Sequence, residues 1–140
     1  MIVPMSQRIE VVGAVIVRDG LILAVQRGPG KALPGTWEFP GGKIENGESP
    51  ADALLRELRE ELLCEATIGD LITTTAHDYD FGTVVLTTFF CALDHDEPTL
   101  TEHVDLRWLR PADLLSVDWA PADVPAVEIV KEQLLGATIP

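Results

Sequence analysis

The apolar residues of this chain keep two different periods. From Ile9 to Val17 the run IEVVGAVIV is almost continuously apolar, and LILAVQR (Leu21–Arg27) follows it. Valine and isoleucine suit extended backbone. The segment between them, Arg18-Asp19-Gly20, carries the Asp-Gly pair of a tight hairpin turn, so two antiparallel strands are predicted. GPGKALPGTW (Gly28–Trp37) is dense in glycine and proline and reads as a loop. The period then lengthens. Leu54, Leu55, Leu58 and Leu62 recur three or four residues apart and predict a helix from about Pro50 to Leu63. Ser49 suits its N-cap, Pro50 its first position, and Asp52 a start like a capping box. CEATIGDLITTTAHDYDFGTVVLTTFFCAL (64–93) returns to short alternation and predicts two or three strands with polar turns. HDEPTLTEHVD is a loop, LRWL a short strand and PADLL a helical turn. VPAVEIVKEQLLG is a second helix with Gly136 past its end. Strands outnumber the two helices, so the expectation is an α+β fold in which a mixed β-sheet is packed by helices.

Composition narrows the function. The chain has 140 residues, of which 46% are hydrophobic. One domain over residues 1–140 is expected, with enough apolar side chain for a core. No apolar run approaches the roughly 20 residues of a membrane span. The start MIVPMSQRIE lacks the basic and apolar regions of a secretory leader. Cys64 and Cys91 have no C-x-x-C spacing, so no disulfide framework is indicated and a cytoplasmic setting is expected. The net charge of −13 argues against long nucleic acid and against anionic membrane surfaces as partners. It is compatible with a small polyanion that arrives with divalent cations, which reverse the local sign.

Glu57, Glu60 and Glu61 share one face of the first predicted helix, opposite its leucines. A solvated acidic face is the plain reading. Two features favour a cation there instead. The acids sit in the last two turns, where the helix dipole disfavours negative charge. A glycine-rich stretch precedes the helix and lets backbone carbonyls approach the same face. A hard cation such as Mg²⁺ takes oxygen ligands of this kind and shares them with substrate phosphates.

The stretch GGKIENGESPADALLRELREEL (Gly41–Leu62) resembles the Nudix box, in which glycine, five residues, glutamate and seven residues precede R-E-U-x-E-E-x-G-U, where U is bulky and apolar. Gly42, Glu48, Arg56, Glu57, Leu58, Glu60 and Glu61 stand at its positions. The flanks WEFPGGK and WAPAD (Trp119–Asp123) extend the likeness to the MutT-like branch of the Nudix hydrolases. The resemblance implies an α/β/α sandwich and metal-dependent hydrolysis of a nucleoside triphosphate to the monophosphate and pyrophosphate. CTP, dCTP, 5-methyl-dCTP and oxidised dGTP are the substrates it suggests. One box position departs: Leu63 replaces the glycine that ends the helix, so either a leucine takes the left-handed conformation or the helix ends differently.

Carried over by the resemblance, Glu57, Glu60 and Glu61 bind Mg²⁺, with Mn²⁺ as the alternative ion, and Glu57 positions or deprotonates water. The Gly41 carbonyl and Glu102 complete the metal ligands, with Glu97 close to Glu102 in sequence. Arg56 and Glu48 orient Glu57 or form a structural salt bridge; the two readings are compatible. Arg27 and Lys43 contact phosphate. Phe39 lines the base pocket, and Asp123 reads the base or caps the last helix. An ionised Asp123 suits an exocyclic amine such as N4 of cytosine; a protonated one also donates, which admits oxidised guanine. Tyr79 lies where dinucleoside polyphosphate hydrolases carry a tyrosine, so such a hydrolase is an alternative. A nucleotide-binding regulatory module without catalysis is another, although such modules lose box glutamates. The partner expected is a small nucleotide, with the chain a monomer or homodimer. His77, His95 and His103 are expected to be exposed. Trp37, Trp108 and Trp119 are candidates for stacking or for the core.

Overall fold

The computed structural model describes residues 7–136. Its strands are β1 (Arg8–Arg18), β2 (Leu21–Gln26), β3 (Trp37–Glu38), β4 (Gly41–Lys43), β5 (Ala66–Tyr79), β6 (Gly82–Leu93) and β7 (Asp105–Leu109). Helix α1 spans Pro50–Leu62 and α2 spans Val124–Gly136. Short 3-10 turns occupy Pro111–Ser116 and Pro121–Asp123. The region expected to hold two or three strands forms two long ones, joined at Asp80-Phe81.

All seven strands belong to one mixed sheet. Its main path runs β3-β2-β1-β6-β5, with β4 on β1 and β7 on β2. β1 is parallel to β6 and antiparallel to β2 and β4. The Asp-Gly hairpin forms as expected, with positive φ at Asp19 and Gly20. β1 changes neighbours along its length. Val11–Gly13 pair with β4, whereas Val17 and Arg18 pair with β2.

The sheet is covered on both faces. Val12, Ala14 and Ile16 of β1 pack with Leu54, Leu58 and Leu62 of α1. Val15 packs on the other side with Trp37, Trp119, Val127 and Val130. Two covered faces explain why β1 reads as a continuous apolar run rather than an alternation. Trp37 and Trp119 are core residues, and Trp108 packs against the α1-side core beneath the Arg18 guanidinium. None of the three tryptophans lines the cleft described below. Among the described residues no helix is long and apolar enough to cross a membrane.

Helix α1 begins as predicted, with the Asp52 amide donating to Ser49 Oγ at 3.1 Å. Its end is resolved by the backbone: Leu63 is left-handed at φ 55° and ψ 39°, and its side chain is 57% exposed. Leucine therefore adopts the conformation usually reserved for glycine, and the helix ends at the usual place.

Candidate active site

The box glutamates open into a cleft of about 900 Å³ that crosses the molecule from the acid face of α1 to the Pro121–Asp123 turn. Arg56 organises the acid end. Its Nε donates to Glu48 Oε2 at 2.7 Å and its Nη2 to Glu48 Oε1 at 2.9 Å. This two-pronged geometry fixes the guanidinium plane. The same Nη2 reaches the Lys43 carbonyl at 2.9 Å. Nη1 donates to Glu57 Oε1 at 2.9 Å and Glu60 Oε2 at 3.2 Å. The Glu48 hydrogen bond pushes the Arg56 pKa up, and Arg56 in turn holds Glu48 below the usual carboxylate range.

Glu61 turns inward and is buried, accepting the Gly41 amide at 3.3 Å. Burial first, then the nearby charges of Glu57 and Glu38, push its pKa up to about 8. Burial also raises Glu57 against the opposing pull of Arg56. Two glycines make room for these acids. A Cβ on Gly42 would stand 2.5 Å from the Glu57 carboxylate, and one on Gly41 would overlap the Val12 carbonyl.

The loop after β6 adds Glu102, which lines the cleft and lies 3.6 Å from Lys31 Nζ. Glu97 instead pairs with Arg18 at 3.0 Å and does not line the cleft. Every acidic donor at this end is an oxygen, and their charges repel, which is the donor set of a hard divalent cation. Among the described residues no three acidic, imidazole or thiol groups are already gathered into an ion cage; Arg56 bridges Glu57 and Glu60. The donors and the negative potential fit the cation.

The other end is apolar, with Phe39, Tyr79, Phe81 and Leu86 around the buried Asp123. Asp123 does not cap α2 through its carboxylate. Its Oδ2 accepts the Phe39 amide at 2.9 Å, across 84 residues of sequence. Burial first, then Glu38, push its pKa up to about 8, while the Phe39 amide and Arg27 oppose the shift. A neutral Asp123 both donates and accepts. Phe39 rests on Trp119, with ring centroids 4.7 Å apart. The Tyr79 hydroxyl accepts the Ala122 amide at 2.8 Å, which gives it a structural task beside Asp123.

Between the two ends lies a group absent from the sequence reading. Glu38 accepts both from Arg27 Nη1, at 3.0 and 3.2 Å, and from His103 Nε2 at 2.8 Å. Arg27 lines the cleft but is already paired there, and it also donates to the Ala32 carbonyl at 2.6 Å. Lys43 lines the cleft with an exposed side chain. The expectation of exposed histidines fails at His103, whose side chain is only 6% exposed and turns inward to meet Glu38 at 2.8 Å. His77 is half-buried against the Tyr79 ring, and His95 is exposed as expected. The signal for Glu38 was its place beside the double glycine in WEFPGG; for His103 it was adjacency to Glu102.

Comparison with known proteins identifies the family. The model of the NUDIX domain matches residues 7–128. The chain is 42% identical over 120 residues to the CTP pyrophosphohydrolase of Escherichia coli K12, covering 86% of this chain and 89% of that protein. It is 40% identical over 123 residues to the putative 8-oxo-dGTP diphosphatase 2 of Mycobacterium tuberculosis, covering 85% and 84%. The solution structure of a MutT protein from methicillin-resistant Staphylococcus aureus 252 superposes with a TM-score of 0.77 at 50% identity, covering 92% of this chain and 99% of that one. This chain therefore belongs to the NUDIX domain family and is a Nudix hydrolase.

Proposed function

We propose that the protein hydrolyses a nucleoside triphosphate to the monophosphate and pyrophosphate, with Mg²⁺ as the working ion and Mn²⁺ as its alternative. The observation that carries this reading is one continuous cleft with carboxylates at one end and a buried Asp123 in an apolar slot at the other. Such a cleft matches a molecule with a charged tail and a flat head. Nudix hydrolases need a divalent metal. When bound, the cation neutralises phosphate charge and makes a water more acidic.

The chain's own groups do the rest. Glu60, Glu61, Glu102 and the Gly41 carbonyl hold the ion together with Glu57. Glu57 positions the attacking water and takes its proton. Arg56, anchored by Glu48, keeps the Glu57 carboxylate aimed into the cleft. Arg27 and Lys43 face the phosphates, and Phe39 walls the base slot.

Asp123 reads the base. Its Oδ2 accepts the Phe39 amide and keeps a second lone pair, so Oδ1 as the hydroxyl donates to the base while Oδ2 accepts from it. A neutral carboxyl donates one hydrogen bond and accepts another. Cytosine offers N3 and the N4 amine; oxidised guanine offers O6 and N1–H. Both edges fit, in keeping with relatives named for CTP and for 8-oxo-dGTP. The test is a panel of CTP, dCTP, 5-methyl-dCTP, 8-oxo-dGTP, ADP-ribose and diadenosine tetraphosphate with Mg²⁺, scored for pyrophosphate. Release from a cytosine or oxoguanine triphosphate is expected. Turnover of ADP-ribose or the dinucleotide alone, or no turnover, overturns the reading.

A further inference from the structure

The last carbonyls of an α-helix have no partner within the helix. In α1 the chain that follows leaves most of them open, because the Leu63 and Cys64 amides both turn back to the Leu58 carbonyl. The distant loop before β7 fills them instead. Thr101 Oγ1 donates to the Glu60 and Glu61 carbonyls at 3.0 and 3.1 Å. The Thr101 amide donates to the Glu61 carbonyl at 3.2 Å, and the Thr99 amide to the Leu62 carbonyl at 2.9 Å. The next residue in that loop is Glu102. Its side chain is half-exposed and reaches only the exposed Lys31, at 3.6 Å, so it does little to place itself. One residue further on, His103 is tied to Glu38 at 2.8 Å, and the Val104 amide to the Gln26 carbonyl at 3.0 Å.

We propose that Thr101 is a positioning residue that latches the Glu102 loop onto the end of α1 and sets Glu102 against Glu60 and Glu61. His103 holds the far side of the same short loop. Glu102 lies 41 and 42 residues beyond Glu61 and Glu60 in the chain, and Thr101 bonds to the backbone of two residues whose side chains line the same cleft as Glu102. The latch thus turns two separate segments into one acidic cluster. Its donors also offset the negative end of the helix dipole beside those acids. The inference rests on the reading of Glu102 as a cation ligand.

The test is calorimetric titration of metal-free protein with Mn²⁺, well below the melting temperature of every variant. Wild type, Thr101→Val, Thr101→Ser, Glu102→Gln and the double variant Thr101→Val/Glu102→Gln are compared. Valine keeps the shape and the backbone bond but loses the hydroxyl, so Kd should rise about threefold to tenfold. Serine should stay within about twofold of wild type, because the hydroxyl is kept. The double variant should bind no more weakly than Glu102→Gln. The half-saturating Mg²⁺ for hydrolysis should follow the same order. A merely structural Thr101 would lower the melting temperature without moving Kd. An unchanged Kd in Thr101→Val overturns the latch, as does a further weakening by that change when Glu102 is already glutamine. Wild-type protein that binds no Mn²⁺ overturns the cation reading itself, and the latch with it.

Discussion

At the acid end of the cleft, Glu57, Glu60 and Glu61 are neighbours on one helix, and the helical repeat alone puts them on one face. At the apolar end, Asp123 meets Phe39 across 84 residues, and Tyr79 reaches Ala122 from a third segment. The first arrangement is local and survives wherever α1 folds. The second exists only when β3, the β5–β6 hairpin and the Pro121–Asp123 turn are docked together. On the proposed function, chemistry is set by a short stretch, and choice of base by the assembly of distant ones. Damage at the acid end should slow turnover of every nucleotide alike, while damage at the apolar end should change which nucleotide is preferred.

The largest effect separating the two ends is expected from Glu60→Gln and Glu61→Gln. Each should lose activity by orders of magnitude on all substrates while keeping the fold. Metal-free Glu61→Gln should be at least as stable as wild type, because a buried carboxyl crowded by Glu57 and Glu38 is removed. Wild-type turnover at saturating Mg²⁺ in both would end the metal reading. Next comes Gly42→Ala, whose new methyl collides with the end of the Glu57 side chain. The clash is with the far end of a flexible side chain, which yields by turning away from Arg56, so the melting temperature should fall only slightly while kcat falls by about a hundredfold, as misplacement by an ångström does. A fall in stability with normal kcat would show that the fold yields instead.

At the apolar end, Asp123→Ala should raise KM and cut discrimination between cytosine and 8-oxoguanine triphosphates by about ten- to hundredfold, the worth of a hydrogen bond to a site built for it. Asp123→Asn keeps shape and should shift the preference instead. Ratios of kcat/KM on the three forms decide it, and an unchanged ratio removes Asp123 from base reading. The same residue predicts a pH dependence. Folding raises its pKa from 3.8 to about 8, so between those values the folded state holds a proton that the unfolded state has released. Stability of the metal-free protein should therefore fall as pH rises through that window and level off above it. Glu61 shifts in the same direction, so Asp123→Asn should flatten only part of the slope in melting temperature.

The smallest effect expected is at Leu63, outside both ends. Its φ of 55° strains a leucine, and its side chain is 57% exposed, so little burial is lost on replacement. Leu63→Gly should gain about 1 kcal/mol, seen as a few degrees in a thermal melt, with activity unchanged. A drop in melting temperature would mean that the leucine side chain contributes more than its exposure suggests.

The sequence by itself determined what depends on neighbours in the chain. The Asp-Gly hairpin, the capped start of α1 and the shared face of Glu57, Glu60 and Glu61 follow from turn chemistry and the 3.6-residue repeat, whereas the pairing of Arg56 with Glu48 was expected only from the resemblance to the Nudix box. Only the tertiary structure decided what depends on distance. It chose Glu102 over Glu97 for the cleft, because only one of them lies on the inner side of the loop. It gave the Asp123 carboxylate to the Phe39 amide rather than to the end of α2. It buried His103 against Glu38, although the residue stands in a polar stretch of sequence. Each outcome turns on a partner between 65 and 84 residues away, or on which side of a loop faces solvent. No local pattern encodes either, because burial and pairing at such range are properties of the packed sheet.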